Sequence, residues 1–428
     1  MSQPLRLGIA GLGTVGIGVL RIIRQHGALL RQRTGRNIEI VAVSAKSKDK
    51  NRGISIAQYD WEDDPVKLAK RDDIDVFVEL IGGDEGPAKD AVEAALHANK
   101  DVVTANKALL AIHGQFLAEA AENAGRALRY EAAVAGGIPV IKALSEGLTG
   151  NEISRVMGVM NGSCNYILTR MEDAGLSYEE VFAEADGLGY LEADPQLDVG
   201  GIDAAHKLAL LSALAFGTKV DFGGIALEGI ERVSIDDIRA AADMGYKIKL
   251  LGVTQKTARG LEQRMQPCLV PQSSPLGQLD GGTNMVVLEG DAVGQIVLRG
   301  PGAGEGPTAS AVMADVCDIA RGVKGPVFGI PARDLVGVPS ASATLPAAYY
   351  LRMTLHDKPG ALAKIAAHLG DAGVSIDRMR QYGHSDTSAP VLIVTHKTTP
   401  DAISAALSSM RDTTVLMGEP VALRIEEV

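Results

Sequence analysis

An aspartate and a lysine stand four residues apart, as Asp203 and Lys207, at the start of a strongly apolar segment. At this spacing the two side chains share one face of a helix, and the residues LALLSALAFG that follow predict a buried helix. Burying an ammonium and a carboxylate is costly unless they pair or take part in chemistry. Turn residues and further carboxylates precede them in GLGYLEADPQLDVGG, residues 187–201. One interpretation is a polar active-site pocket, and the other is an ordinary helical ion pair beside a solvated acidic loop.

A glycine pattern near the N-terminus indicates phosphate binding. The apolar run LRLGIA predicts a strand over residues 5–10, and it leads into GLGTVG and a predicted helix over residues 14–32. In such a unit the first glycine permits a tight turn, the second lets the backbone approach a pyrophosphate, and the third lets the helix pack on the strand. We therefore predict a dinucleotide site rather than a chance glycine turn.

The second predicted strand, residues 38–43, ends without an acidic residue. Proteins that bind NAD often place Asp or Glu at this point, where it meets the ribose hydroxyls. Here the sequence continues as SAKSK, which contains Lys46, and Lys50 and Arg52 follow closely. Such cations suit the 2′-phosphate of NADP. The pattern favours NADP over NAD, with a solvated basic loop as the alternative.

Strand–helix alternation continues to about residue 138 and predicts a parallel, Rossmann-type sheet. The predicted strands VFVELI, DVVTA and ALRYEAAV lead to Gly82-Gly83, to Asn106-Lys107 and to Gly136-Gly137. Ligands of an open parallel sheet bind outside the carboxyl ends of its strands, so we expect these residues at the mouth of one crevice. Lys107 is interpreted as a ligand contact there rather than as an ordinary helix start.

Two further regions follow. Four predicted strands of an antiparallel or mixed sheet precede a second glycine-rich loop, GPGAGEGPT, whose amides suit a phosphate or ribose unless it is only a long turn. After the linker GVPSASATLPA the pattern reads βαββαβ, a ferredoxin-like unit whose last predicted strand covers residues 415–425. The predicted fold class is α/β, with a Rossmann-type domain at 1–138, an α+β substrate and dimerisation domain at 139–320, a return segment and linker at 321–347, and a ferredoxin-like domain at 348–428.

Composition narrows the classes of function. The chain carries 42 Lys and Arg against 53 Asp and Glu, a net charge of −11, which argues against a nucleic-acid partner. Three widely spaced cysteines fit neither a disulfide framework nor a zinc site, and they favour a reducing compartment. No apolar run is long enough to span a bilayer, and the N-terminus enters a predicted strand at once. We therefore expect a cytoplasmic protein with no membrane partner.

Six stretches occur in one order along the chain: GLGTVG, TANKALLA, EAAVAGGIP, NGSCNYIL, GYLEADPQLDVGGIDAAHK and GPGAGEGPTASAV. With HDKPGALAKIAAHLGDAGVSID near the C-terminus, they resemble bacterial homoserine dehydrogenases that carry a C-terminal ACT domain, over the whole chain. The resemblance implies a reversible, NAD(P)-dependent reduction of L-aspartate 4-semialdehyde to L-homoserine, which supplies threonine and methionine synthesis. It also implies a homodimer or homotetramer.

The resemblance implies roles for single residues. Lys207 would be the general acid that protonates the alkoxide formed during hydride transfer, and Asp203 would orient Lys207 and the substrate. Glu192, Asp203 and Lys107 would bind the substrate. The cofactor would be contacted by Gly11, Leu12, Gly13, Thr14, Val15, Gly16, Lys46, Gly82, Lys107, Gly189 and Gly304.

Two additional sites follow from the resemblance. A monovalent cation, expected to be sodium, would be held by the Glu131 carboxylate and by the backbone of Val134, Gly136 and Ile138, a donor set that suits a hard cation. In the ACT domain, an amino-acid effector such as threonine would bind the loop formed by Asp357, Pro359, Gly360 and Ala361, because free amides at a helix start can take a carboxylate. A domain used only for dimerisation is the alternative.

Cys164 permits a different chemistry. A lone cysteine near a site can be an acylating nucleophile, as in the related aspartate-semialdehyde dehydrogenases. No nearby histidine in the sequence marks a base partner, so we interpret Cys164 as packing. A further alternative is an amino-acid sensor that keeps the Rossmann and ACT domains without catalysis. Lys207, Asp203 and Glu192 argue against it, because a sensor needs no proton donor.

Overall fold

The computed structural model describes residues 3–192, 194–341, 345–381, 387–411 and 413–428, so residues 342–344 of the predicted linker lie outside it. Its N-terminal region is built on a parallel sheet, which has six described strands in the order β3-β2-β1-β4-β5-β6. This is the order of a Rossmann sheet. The elements are β1 (Leu5–Ala10), α1 (Thr14–Thr34), β2 (Ile38–Ser44), β3 (Asp60–Glu62), α2 (Pro65–Ala69), β4 (Val76–Glu79), α3 (Pro87–His97), β5 (Asp101–Thr104), α4 (Lys107–Asn123) and β6 (Leu128–Arg129).

The last strand of this sheet is shorter than predicted. A strand was expected to reach Val134, but β6 ends at Arg129 and Glu131–Ala133 form a 3-10 turn. The turn places the Glu131 carboxylate under the N–H groups of Ile141 and Lys142, each at 2.9 Å. The chain leaves the sheet there because those buried hydrogen bonds replace the strand's ladder.

The middle region combines helices with a mixed sheet. Its elements are α5 (Val140–Lys142), which continues as a π-helical turn (Ala143–Gly147), β7 (Ile153–Val159), α6 (Gly162–Ala174), α7 (Tyr178–Gly187), α8 (Gln196–Val199), α9 (Ile202–Phe216), β8 (Ala226–Leu227), α10 (Ile235–Asp243), β9 (Tyr246–Thr257), β10 (Gly260–Pro271), β11 (Thr283–Gly290), β12 (Gly294–Pro301) and α11 (Glu305–Arg321). The predicted buried helix is α9, which packs against α4 of the first region and against β7 and β9. Its apolar residues Leu208, Leu210 and Leu211 are fully buried.

Helix α11 returns to the first region. Ala309, Val312 and Val316 are buried in the same apolar cluster as α1. A Cβ built on Gly18 of α1 would lie 2.8 Å from the Cβ of Ala309, so glycine is needed at this close crossing of the two helices. The glycine-rich loop before α11 is thereby carried to the edge of the parallel sheet.

The C-terminal region has the predicted βαββαβ order. It contains β13 (Ala348–His356), α12 (Ala361–Asp371), β14 (Ile376–Gln381), β15 (Ser388–Thr395), α13 (Pro400–Arg411) and β16 (Val421–Ile425). The last strand is shorter than the expected 415–425, because Gly418 has a positive φ of 86° and turns the chain before it. Among the described helices, none is both long and apolar enough to cross a membrane.

The middle and C-terminal sheets are continuous. Strand β16 pairs in parallel with β10, through Cys268 with Arg424 and Leu269 with Ile425. The described strands of the joint sheet run β12-β11-β7-β9-β10-β16-β13-β15-β14, and β8 also pairs with β10. The seam carries buried charges, since Arg264 of β10 pairs with Glu426 beyond β16.

Candidate active site

Asp203 and Lys207 face each other on the first turns of α9. The Lys207 Nζ lies 2.7 Å from the Asp203 Oδ2 and 2.8 Å from the carbonyl oxygen of Met160. Both residues are buried, with 8% of Lys207 and 7% of Asp203 exposed. The ammonium group donates to these two oxygens and has a third N–H for a ligand. The contact expected from the spacing is present, and it is a buried pair rather than a solvated one.

A second lysine reaches the other oxygen of the same carboxylate. Lys107, at the start of α4, places its Nζ 2.8 Å from the Asp203 Oδ1. Burial alone would raise the pKa of Asp203, but the charges of Lys207 and Lys107 outweigh it and hold the pKa well below its ordinary value. Burial would lower the pKa of Lys107, and the charge of Asp203 raises it above its ordinary value. Asp203 is therefore ionised at neutral pH.

Two side chains without an expected role brace this pair. The Asn161 Nδ2 donates to Asp198 Oδ1 at 2.8 Å and to Asp203 Oδ2 at 3.3 Å. The other Asp198 oxygen accepts from the backbone N–H of Glu192 at 2.9 Å. Asp198 stands out in the sequence as one of the acidic-loop carboxylates. Nothing in the spacing of Asn161 from Asp203 marks their contact, because different elements bring them together.

A cavity of about 570 Å³ opens over these groups. One side is lined by Asp203 and Lys207, which we call the acid pair, and by Glu192, Asn161 and Asp198. The other side is lined by the helix start after the glycine turn and by the loop before α11. The cavity thus joins a dinucleotide-binding edge to a buried, charged wall. It is lined by these residues of the predicted site: Thr14, Val15, Lys107, Gly136, Gly189, Glu192, Asp203, Lys207 and Gly304.

A neighbouring cavity of about 730 Å³ lies at the ends of β1 and β2, and four predicted residues line it: Gly11, Leu12, Gly13 and Lys46. Lys50 and Arg52 also line it, whereas β2 itself ends at Ser44. One carboxylate that the sequence did not reveal is present, Asp63, which follows the very short strand β3. Its Oδ1 accepts a hydrogen bond from the Trp61 Nε1 at 2.6 Å. Among the charged side chains of this wall, the cations Lys46, Lys50 and Arg52 therefore outnumber the one described carboxylate.

The glycine turn has the geometry that its motif predicts. Gly11 has a φ of +101°, and a Cβ there would lie 2.2 Å from the carbonyl oxygen of Leu80. A Cβ on Gly16 would lie 2.1 Å from the carbonyl oxygen of Gly11, whereas the space beside Gly13 is open within 4 Å. Gly16 therefore serves packing and lines neither of these two cavities. Gly82 also lies outside both, and its N–H donates to Glu79 Oε1 at 3.0 Å.

Glu131 is the carboxylate of the predicted cation site, and 1% of it is exposed. Burial and the charge of Asp315 raise the pKa of Glu131 to about 7. The turn that follows, with Val134 and Ile138 in it, has positive φ at Ala135 and Gly136. A monovalent cation fits here, because it would offset a buried negative charge that one lysine, Lys142, partly balances. Among the described residues, no group of three or more His, Cys, Asp or Glu side chains could hold a metal ion.

The predicted effector loop connects β13 to α12. Asp357, Pro359 and Gly360 are exposed, and Ala361 begins the helix. Gly360 has a φ of +85°, a conformation that favours glycine, and the Ala361 N–H donates to the carbonyl oxygen of Lys358 at 3.1 Å. The loop belongs to the C-terminal region, and its four predicted residues line neither active-site cavity.

Cys164 lies beneath the site and is fully buried. Its thiol donates to the carbonyl oxygen of Asp198 at 3.1 Å, and burial raises the pKa of Cys164 well above its ordinary value. A thiol held protonated is a poor nucleophile, so the geometry favours packing over acylation.

Comparison with protein families covers all three regions. Residues 139–317 match the model "Homoserine dehydrogenase", residues 11–131 match "Homoserine dehydrogenase, NAD binding domain", and residues 349–413 match "ACT domain". A homoserine dehydrogenase of Neisseria gonorrhoeae is 44% identical over 95% of each chain. One of Pseudomonas aeruginosa is 39% identical over the full length of both.

Solved structures have the same architecture. A homoserine dehydrogenase from Thiobacillus denitrificans superposes with a TM-score of 0.94 at 39% identity, covering 100% of this chain and 99% of that one. The enzyme of S. aureus at pH 7.5 gives 0.78 at 29% identity, covering 100% of both. The expected fold class is thereby confirmed, while the boundaries placed at 138, 320 and 347 stay predictions.

Proposed function

Since this chain belongs to the homoserine dehydrogenase family, we propose that Lys207 is the general acid of its reaction. The chain is an NAD(P)-dependent oxidoreductase that acts on a CH–OH group and interconverts L-aspartate 4-semialdehyde and L-homoserine. The observation that carries the proposal is the buried contact of Lys207 with Asp203 in the wall of the shared cavity.

In this proposal the residues of the glycine turn, among them Gly11, Gly13 and Thr14, would hold the nicotinamide cofactor, which would supply the hydride when bound, and the side chains handle the substrate and the proton. Lys207 donates a proton to the aldehyde oxygen as that oxygen gains negative charge, and it takes the proton back in the reverse direction. Asp203 stays ionised and orients both Lys207 and Lys107, which contact its two oxygens. Glu192 binds the ammonium or hydroxyl group of the substrate. Lys107 contacts both the substrate and the cofactor at the place where the two meet.

The test measures oxidation of reduced cofactor by aspartate semialdehyde in the parent and in Lys207→Ala. We expect turnover to fall about 10²- to 10⁴-fold, the usual contribution of a general acid. Cofactor affinity should stay near the parent value, because the glycine turn is unaltered. Cys164→Ser is the control and should keep substantial activity, since Cys164 is fully buried and does not line the cavity. Equal turnover in Lys207→Ala and the parent would refute the assignment.

We also propose NADP as the preferred cofactor. Lys46, Lys50 and Arg52 line the cavity beside the glycine turn, and a 2′-phosphate needs such cations. Asp63 is the one described carboxylate in that wall, and it is engaged by Trp61. This makes Asp63 a weaker competitor for ribose hydroxyls than an acid at the end of β2 would be.

We further propose that sodium binds at Glu131 and that threonine binds at the loop of Asp357. We also propose that the enzyme is a cytoplasmic homodimer or homotetramer. The raised pKa of Glu131 supports the cation, because a bound cation favours the ionised carboxylate. The helix start at Ala361 supports an effector with a carboxylate. The presence of an ACT domain accords with regulation by a small molecule.

A further inference from the structure

Asn161 occupies the corner between β7 and α6, in the wall of the cavity that opens over Asp203 and Lys207. It is the residue before the helix, it is 4% exposed, and its Oδ1 accepts the N–H of Cys164 at 2.8 Å. This helix-capping bond fixes the amide orientation, because only the oxygen can accept that N–H. The Nδ2 must therefore point away from the helix, towards the carboxylates of Asp198 and Asp203.

The same corner also holds Lys207. Met160, the residue just before Asn161, provides the carbonyl oxygen that accepts from the Lys207 Nζ at 2.8 Å. Two consecutive residues of one corner thus contact both members of the acid pair. Asp198 also connects Asn161 to the backbone of Glu192. One oxygen of its carboxylate accepts a hydrogen bond from the Asn161 Nδ2, and the other accepts one from the Glu192 N–H.

We propose that Asn161 is a positioning residue of the reaction, which holds the Asp203 carboxylate where Lys207 and Lys107 use it. This inference rests on the proposed roles of Lys207 and Asp203. A neutral donor is needed at this point, because a third carboxylate would repel Asp198 and Asp203 in a buried site. An apolar residue would take this donor from the buried Asp198 Oδ1 and would leave the Asp203 Oδ2 with Lys207 but without its second donor.

Two substitutions separate positioning from helix capping. Serine and aspartate both cap helices well, but serine is too short to reach two carboxylates and ionised aspartate has no proton to donate. Asn161→Ser and Asn161→Asp should therefore keep the cap and lose the donor. Ser177→Ala is the matched control, because it removes the cap of α7, where Ser177 accepts the N–H of Glu180 without contact with the acid pair.

The measurements are thermal stability, kcat, KM for the cofactor, and the deuterium isotope effect on kcat with deuterated reduced cofactor. In Asn161→Ser we expect a near-parent melting temperature and cofactor KM, a kcat lowered about ten- to a hundredfold, and a larger isotope effect. Ser177→Ala should lose stability and keep kcat. If Asn161→Asp fails to fold, Asn161→Ser still decides the question.

Parent-like kcat in folded Asn161→Ser would overturn the inference. A purely structural role of Asn161 predicts that kcat falls only when the melting temperature also falls. That result would also overturn the inference. Lys207→Ala in the same assay keeps the two proposals apart. Parent-like turnover in Lys207→Ala would refute the role of Lys207 as the general acid. Low turnover in Lys207→Ala together with parent-like turnover in Asn161→Ser would refute only the positioning role of Asn161.

Discussion

Glu131→Gln should flatten the dependence of stability on pH. The pKa of Glu131 is raised from 4.5 to about 7 by burial and by the charge of Asp315. Between these values the folded chain keeps a proton that the unfolded chain has lost, so the contribution to stability is present at low pH and is lost as the pH rises. At about 1.4 kcal/mol per pH unit, the free energy of unfolding falls by about 3 kcal/mol over this interval. Glutamine does not ionise, so the variant should lack this loss.

The assay is thermal unfolding from pH 5 to pH 8 in choline chloride. The melting temperature of the parent should fall by roughly 3 °C for a loss of this size, because a chain of 428 residues has a large unfolding entropy, at about 2.1 cal/mol/K per residue. Glu131→Gln should show a smaller slope, which remains because burial raises the pKa of Asp315 to about 6. Glu152→Gln, at an exposed glutamate, is the control and should follow the parent.

Replacing choline by sodium tests the cation site in the same experiment. Bound sodium favours the ionised carboxylate, so it should raise the melting temperature of the parent at pH 8 and leave Glu131→Gln unchanged. Parallel pH curves for the parent and Glu131→Gln would refute the reasoning about burial. Equal curves in sodium and choline would refute the cation alone.

Two other proposals can be tested by matched pairs of exposed residues. Lys46→Ala should lower the preference for NADPH over NADH about tenfold, whereas Lys48→Ala, which does not line the cavity beside the glycine turn, should not. Equal selectivity in both variants would contradict the phosphate contact. Pro359→Glu should weaken inhibition by threonine. The new carboxylate would lie beside the helix start that is proposed to bind the carboxylate of threonine, and the two negative charges would repel each other. Ala367→Glu, farther along α12, should leave inhibition intact, and inhibition kept in both variants would count against this loop.

Much of the fold follows from local signals in the sequence. Strand β1 has the predicted bounds because a mostly apolar run meets a glycine turn, and α9 was expected because its residues are apolar almost all round. Helices α7 and α10 had no such pattern. Each has a capping box, formed by Ser177 with Glu180 and by Ser234 with Asp237, which could have located its start.

The site was only partly predictable, for a physical reason. The contact of Asp203 with Lys207 is local and follows from helical spacing. Those of Lys107 and Asn161 with Asp203 join elements distant in the chain, so no spacing rule reveals them. The sequence did not reveal Asp63 as a cavity residue, because β3 is too short to show a strand pattern. The position after a strand and the resemblance both gave Lys107 as a ligand contact, but neither revealed that it shares the Asp203 carboxylate with Lys207.

The seam between β10 and β16 limits how the C-terminal domain can be exchanged. A domain attached by a flexible tether can be swapped between proteins as a cassette, because its partner loses no contact. Here removal would expose the edge of β10 and strip Arg264 of its contact with Glu426, leaving a nearly fully buried guanidinium with one carboxylate fewer. Chimeras of this enzyme should therefore retain the closing residues 421–428 of the original chain.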